Sequence, residues 1–203
     1  ANMGSKTLIL DTDLRKPVMH RVFSIPKEKG ITDILTRNAE WQDVVQPTGI
    51  ENCYVITSGA TPPNPSELLG SKKMSALLKE LRDDFDIILL DSSPVIAVTD
   101  AVVLGSYVDA IFLVLEMGRT TMDVAMRVKS ILEAVKLPTK GAVINNIRPE
   151  DRRAYGYKYG YGGYYGYGYR YYRYYNYYSY HYGEEGERPK SGIQALLDKI
   201  SGR

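Results

Sequence analysis

Residues 87–91 read IILLD, a continuous apolar run that ends in a carboxylate, and residues 7–11 have the same form, TLILD. Strands that are apolar along their whole length are typical of parallel sheets, in which both faces are covered. Two further apolar runs, residues 110–115 and 142–144, alternate along the chain with helix-like segments. This alternation predicts an α/β fold with a doubly wound, mostly parallel sheet.

The segments between these strands contain the signals of further elements. A proline-rich turn at residues 62–65 leads to Ser66, which we expect to cap the helix that follows. Residues 30–35 and 120–135 indicate two more helices, and residues 53–57 another strand. The helix after Ser66 has an apolar face at i, i+3, i+4 and i+7 spacing, formed by Met74, Leu77, Leu78 and Leu81.

Composition divides the chain into three segments. Residues 1–150 have the length of one domain with its own core, residues 151–190 are rich in Tyr and Gly, and residues 191–203 could form a short amphipathic helix or a frayed terminus. Lysine and arginine number 26 against 24 acidic residues, so the net charge of +2 does not support general polyanion binding. The chain contains neither a signal peptide nor a run of about 18 apolar residues, so we expect no membrane-spanning segment in it.

Sixteen of the eighteen tyrosines lie within residues 155–182, together with six glycines and no aliphatic residue. Such a segment has no aliphatic core and is entropically costly to order, so we expect an exposed, largely disordered tail that presents phenol hydroxyls. Phosphorylation is the natural chemistry of clustered phenols. The predicted phosphorylation sites are Tyr155, Tyr157, Tyr159, Tyr161, Tyr164, Tyr165, Tyr167, Tyr169, Tyr171, Tyr172, Tyr174, Tyr175, Tyr177, Tyr178, Tyr180 and Tyr182.

Three carboxylates follow two of the predicted strands. Asp11 and Asp13 are two residues apart, so in extended chain they point the same way, and Asp91 ends the second strand. In open parallel sheets ligands bind beyond the carboxyl ends of the strands. Oxygen donors without a His or Cys cluster suit Mg²⁺ better than zinc. An acid after an apolar strand is also the Walker B pattern of ATPases, although a single example is a weak signal because Asp more commonly follows a strand simply to cap the next helix.

In combination, LILDTDLR at residues 8–15, LLDSSP at residues 89–94 and the tyrosine cluster resemble the bacterial tyrosine kinases, the autokinases tied to capsule and exopolysaccharide export. The first element resembles their A-prime Walker motif and the second their Walker B motif. The resemblance extends from Lys6 to the tyrosine cluster, and it implies a P-loop ATPase fold related to the cell-division and partitioning ATPases. Three further stretches agree with it: residues 59–69, 99–101 and 141–146.

The resemblance implies ATP and Mg²⁺ as cofactors and a role for each acid. Asp13 and Asp91 would hold or orient Mg²⁺ and its water shell, and Asp11 would accept the proton of an incoming tyrosine hydroxyl. A phenol has a pKa of about 10, so a nearby base and the metal would both help its attack. The division of labour between Asp11 and Asp13 stays open.

The resemblance also suggests nucleotide-binding residues. Arg15 could neutralise phosphate charge, or could belong with Lys16 to a solvated or subunit-contact pair. Asn145 and Asn146 follow the last predicted strand, where the related ATPases recognise adenine, although they could also be simple turn residues.

The partners implied are other copies of the chain. In this family the tail is phosphorylated in trans within a homo-oligomeric ring, at the cytoplasmic face of the bacterial inner membrane. A membrane-bound polysaccharide co-polymerase acts as activator, either fused upstream or as a separate polypeptide, and a protein-tyrosine phosphatase reverses the modification. We expect no nucleic-acid partner.

One expected motif does not occur in the sequence. The phosphate-binding pattern G-x-x-x-x-G-K-[ST] appears nowhere in the 203 residues. In the family it lies shortly before the A-prime strand, so we expect the polypeptide to continue upstream of Ala1 and the 203-residue chain alone to be inactive or nearly so.

Two other functions compete with the autokinase. One is a partitioning-type switch ATPase that phosphorylates no tyrosine. The other is an adhesive Tyr/Gly-rich module that associates through stacking and cation–π contacts, with weak binding of single-stranded nucleic acid. The paired acidic strands favour an ATP-dependent enzyme, because an adhesive module does not need them.

Overall fold

A computed structural model describes residues 1–147 of the protein. The predictions for the tyrosine cluster and for residues 191–203 lie outside the described residues. The strands are Thr7–Asp11 (β1), Gln46–Pro47 (β2), Cys53–Ile56 (β3), Ile87–Asp91 (β4), Ile111–Glu116 (β5) and Thr139–Asn145 (β6). The α-helices are Met19–Val22 (α1), Ile31–Arg37 (α2), Pro65–Leu69 (α3), Lys72–Asp84 (α4), Asp100–Gly105 (α5) and Met122–Ala134 (α6), with a 3-10 turn at Trp41–Asp43. Within the described range, no helix combines the length and the apolar character needed to cross a bilayer.

The strands form two pieces of mainly parallel sheet. In the first piece the order is β2-β3-β1-β4, with β3 and β4 parallel to β1 and only the short β2 antiparallel. In the second piece β5 and β6 pair in parallel. The α/β class with a mostly parallel sheet is therefore confirmed, but within residues 1–147 the sheet is not continuous.

A cavity of about 820 Å³ is lined by both β4 and β5, and we call it the interstrand cavity. Residues 1–147 contain no strand that pairs β4 with β5. Large apolar side chains of both strands are consequently open to solvent: Leu89 of β4 is 52% exposed and Val114 of β5 is 69% exposed. Within residues 1–147, the expectation that the apolar strands are covered on both faces is thus wrong for β4 and β5.

The main hydrophobic core is built around β1 and α4. Leu8 and Leu10 of β1 are fully buried, and the core includes Leu35 of α2 together with Trp41 and Phe85, whose ring centroids lie 5.6 Å apart. The predicted apolar face of α4 is confirmed, because all four of its residues are buried. This core supports the first sheet piece from one end of β1 to the other.

The expectation that Ser66 caps the helix before β4 is wrong. Ser66 lies inside α3, a separate short helix, and Gly70 follows that helix at its C-terminal end. The long helix α4 begins after Ser71, whose hydroxyl accepts a hydrogen bond from the Met74 amide at 3.2 Å. The Ser66 hydroxyl instead donates to Asp100, a contact across 34 residues of sequence.

Gly30 allows the start of α2 to pack directly against the loop after β3. A Cβ atom at Gly30 would lie 2.1 Å from the carbonyl oxygen of Thr57 and 2.3 Å from the amide nitrogen of Gly59. The Ile31 amide donates to the same Thr57 carbonyl at 2.8 Å. The close approach is therefore fixed by backbone atoms that cannot move aside cheaply.

We expect Gly30→Ala to lower the unfolding free energy by about 1–3 kcal/mol or more, because the new methyl group overpacks a backbone contact. Thermal melting measures the change. Gly141→Ala is the matched control, since the nearest atom to a Cβ there is 3.8 Å away on the Phe112 ring. Equal melting temperatures for the two variants would contradict the packing argument.

Candidate functional site

The carboxyl ends of β1 and β4 lie side by side and bring the predicted acids together. The parallel register places Asp11 opposite Asp91. The backbone amide of Thr12 donates to the carbonyl oxygen of Asp91 at 2.9 Å, and the Thr12 hydroxyl donates to the same oxygen. Thr12 therefore ties the loop after β1 to the end of β4, with Asp13 directly beyond it.

Asp13 is held by three donors on one oxygen. Its Oδ1 accepts hydrogen bonds from the Ser93 hydroxyl at 2.6 Å, the Lys16 amide at 3.0 Å and the Arg15 amide at 3.2 Å. The side chain is only 6% exposed, so these bonds determine how the carboxylate points. Ser93 was not singled out from the sequence, although it stands in the Asp-Ser-Ser-Pro stretch that resembles Walker B.

Asp11 is fully buried and its two oxygens differ. Oδ2 accepts a hydrogen bond from the Met19 amide at 3.0 Å, whereas Oδ1 has no hydrogen-bond partner among the described residues. Burial raises the pKa of Asp11, the Met19 amide opposes that rise, and the charge of Asp13 adds to it. A buried carboxylate oxygen without a partner is costly, and a proton or a cation would satisfy it.

Asp91 completes the acidic group. Burial, followed by the charges of Asp11 and Asp13, raises the pKa of Asp91 to about 6. Like charges held this close disfavour ionisation, and a divalent cation would relieve the repulsion. Residues 1–147 contain no group of three or more His, Cys, Asp and Glu side chains arranged to hold a metal. Carboxylate oxygens such as those of Asp11, Asp13 and Asp91 are the kind of donor that Mg²⁺ takes, usually one or two per ion with several waters kept.

Arg15 lies in an ion pair. Its Nε is 2.8 Å from Oδ2 of Asp100, which is fully buried, and its Nη2 donates to the Ser66 hydroxyl oxygen at 3.2 Å. Neither Asp100 nor Ser66 was identified as a site residue from the sequence, because 85 and 51 residues separate them from Arg15. The role of Arg15 in nucleotide binding stays a prediction.

Asn145 and Asn146 lie at the carboxyl end of β6, in the second sheet piece. The Asn145 carbonyl accepts from the Met117 amide at 2.9 Å, and its side-chain Oδ1 accepts from the Asn146 amide at 2.8 Å. Asn146 has a positive φ of 58° and its Nδ2 donates to Glu116 at 3.2 Å. Both residues thus close the end of this sheet piece, as turn residues do, and recognition of adenine stays a prediction.

We expect Asp91→Asn to stabilise the metal-free protein near pH 8 and to have a much smaller effect below pH 3.8. The folded protein binds the Asp91 proton more tightly than the unfolded chain, since the pKa is raised from 3.8 to about 6. Stability contributed by this residue is therefore fully present below pH 3.8 and is lost as the pH rises from there through about 6. Melting temperatures in the presence of a chelator measure the difference.

The control for this prediction is Asp109→Asn. The Asp109 side chain is 91% exposed and pairs with Arg82 at the surface, so its removal should change the melting temperature little at either pH. A stabilisation by Asp91→Asn that is equally large at both pH values would rule out the raised pKa as its cause.

The chain is similar to known protein kinases of bacteria. It is 35% identical over 160 residues to the protein named tyrosine-protein kinase CapB of Staphylococcus aureus, covering 79% of this chain and 70% of that protein. It is 37% identical over 157 residues to tyrosine-protein kinase YwqD of Bacillus subtilis, covering 77% of this chain and 66% of the relative. The match to tyrosine-protein kinase Etk of Escherichia coli spans 22% of that longer protein. No family model matches the chain.

Solved structures of bacterial tyrosine kinase domains are also similar to this chain. The kinase domain of Escherichia coli Etk superposes with a TM-score of 0.71 at 32% identity, covering 82% of this chain and 62% of that one. The kinase domain of VpsO superposes with a TM-score of 0.69 at 33% identity, and the match covers 72% of each chain. The septum site-determining protein MinD of Pyrococcus horikoshii, solved with Mg-ADP, has the same fold at 23% identity, with a TM-score of 0.58 and coverage of 75% and 65%.

Proposed function

Because the chain belongs to the bacterial tyrosine-protein kinase family, we propose that it is part of an autokinase that transfers phosphate from ATP to tyrosines of its own C-terminal cluster. The observation that carries this proposal is the group of three acids at the ends of β1 and β4, with a buried, unpartnered oxygen on Asp11. An acidic site of this kind serves both needs of phosphoryl transfer, a metal site and a base.

Asp13 and Asp91 would hold Mg²⁺, whose positive charge would neutralise the phosphate charge when the ion is bound. The hydrogen bonds from Ser93 and the two loop amides fix one oxygen of Asp13 and so orient the carboxylate. Mg²⁺ and nucleotide use is supported by the fold shared with a MinD protein solved with Mg-ADP.

Asp11 is the better candidate for the base. Its buried Oδ1 lacks a hydrogen-bond partner among the described residues and would be satisfied by a donating tyrosine hydroxyl, whereas the Oδ1 of Asp13 already accepts three hydrogen bonds. Its raised pKa also brings it closer to that of the phenol whose proton it would accept. Asp11 would thus take the proton while the attacking oxygen is positioned in line with the phosphate.

The interstrand cavity indicates where a phosphate-binding loop would enter. Leu89 and Val114 are exposed along the two strands that line the cavity, so one further apolar strand would fit between β4 and β5. A loop at the carboxyl end of that strand would lie beside Asp91 and Ser93, which also line the cavity. Arg15, Asn145 and Asn146 are proposed as nucleotide contacts at the carboxyl ends of the strands.

The proposed partners follow from the family. The tail of one copy would enter the site of a neighbour in a ring at the cytoplasmic membrane face, under the control of a polysaccharide co-polymerase and a tyrosine phosphatase. Each phosphate adds about −1.5 to −2 charges, so a multiply phosphorylated tail would be repelled by the three acids of the site. Release of the tail would then favour disassembly of the ring and regulate the synthesis and export of polysaccharide.

We expect the polypeptide extended upstream through its phosphate loop to gain a ladder of phosphate additions with Mg²⁺ and ATP. Intact mass with peptide mapping should place them within residues 155–182, and Asp13→Asn should abolish the ladder because the metal site loses a charge. ATP hydrolysis without any mass increase would favour a partitioning-type switch ATPase instead.

The 203-residue chain alone should show little or no kinase or ATPase activity, because it contains no phosphate-binding lysine motif. It should also bind a hydrophobic dye at the exposed side chains of the interstrand cavity, and the upstream extension should reduce that fluorescence. Strong activity of the 203-residue chain, or equal dye binding by both forms, would count against the proposed strand and loop.

A further inference from the structure

A buried ionic cluster joins three separate elements next to the acidic site. Asp100 is the first residue of α5, Ser66 lies in α3 and Arg15 lies in the loop after β1, and we call these three residues the Asp100 cluster. The fully buried Asp100 carboxylate accepts from Arg15 Nε at 2.8 Å and from Nη2 at 3.4 Å. The Ser66 hydroxyl donates to the same carboxylate. Arg15 is thereby bound to both helices at once.

The backbone of the same arginine contacts the site. The Arg15 amide donates to Oδ1 of Asp13 at 3.2 Å, and the next amide, that of Lys16, donates at 3.0 Å. The side chain of Arg15 therefore fixes the loop to α3 and α5, while the backbone of the loop fixes the Asp13 carboxylate.

The loop of residues 12–16 is anchored on both sides of Asp13. On one side, Thr12 is hydrogen-bonded to the end of β4 through two donors. On the other side, the side-chain anchor is Arg15 in the Asp100 cluster. Loss of the second anchor would remove the side-chain contacts that hold Arg15, whose amide donates to Asp13, against α3 and α5.

We propose that Asp100 and Ser66 are positioning residues for Asp13, acting through Arg15 to set the geometry of the metal site. This inference rests on the proposed function, in which Asp13 holds Mg²⁺. Partners that orient a metal-binding carboxylate affect metal affinity without touching the metal, and their loss typically costs about 10- to 100-fold.

The test uses the natural polypeptide that includes the phosphate loop, with Mn²⁺ as a spectroscopic probe. Asp100→Asn keeps the shape of the side chain and removes its charge, and Mn²⁺ affinity in the presence of ADP should fall about 10- to 100-fold by EPR titration. The Mg²⁺ concentration for half-maximal autophosphorylation should rise in parallel, with a smaller change in rate at saturating Mg²⁺. Asp109→Asn, at an exposed ion pair with Arg82, should leave both values unchanged.

Two milder variants cover the case in which Asp100→Asn does not fold. Ser66→Ala removes one hydroxyl, and Arg15→Lys keeps the charge but loses the Nε donor, so each should weaken Mn²⁺ binding in the same direction. A lower melting temperature with unchanged Mn²⁺ affinity would show that the cluster is only structural and would overturn the inference. Because EPR does not depend on turnover, wild-type protein that binds Mn²⁺ but labels no tyrosine would refute the proposed kinase while still testing the Asp100 cluster.

Discussion

The parallel pairing of β1 with β4 is the constraint on which the site depends. It places two acid-terminated strands in register, so Asp11 and Asp91 stand opposite each other and Asp13 follows within two residues. Burial, and after it the mutual repulsion of the three carboxylates, raises the pKa of Asp11 and of Asp91. The hydrogen bonds of Thr12 and Ser93 hold this arrangement in place against that repulsion.

Asp11 and Asp13 differ in the hydrogen bonds that their carboxylate oxygens accept. Asp13 has one oxygen committed to three donors, a setting that favours fixed orientation. Asp11 has a buried oxygen with no partner among the described residues, a setting that favours exchange of a proton or contact with a cation. The sequence alone left the roles of Asp11 and Asp13 open, and these contacts favour a division between metal holder and base.

Local patterns in the sequence were sufficient to predict the fold class and the grouping of the acids, because an apolar strand that ends in Asp can be recognised from five residues. Contacts between segments far apart in the sequence could not be predicted in this way. The Ser66 hydroxyl satisfies Asp100 rather than a nearby amide, so a rule based on local capping failed there. The elements β2, α1 and α5 have 2, 4 and 6 residues, too few to show a periodicity. The gap in the sheet was hidden because an apolar strand has the same composition whether or not a neighbour covers it.

The open edges of β4 and β5 affect how the polypeptide behaves before its sheet is complete. Unpaired strand edges that carry exposed apolar side chains are templates for pairing with another molecule. If the strand that fills the interstrand cavity comes from upstream, it is synthesised before β4 and β5 and cannot pair with them until both have been made. Such long-range pairing is slow, and until it occurs the aggregation-prone edges of β4 and β5 stay exposed. Folding yield, and with it the amount of protein that escapes aggregation in the cell, would then be governed by the closure of this one gap.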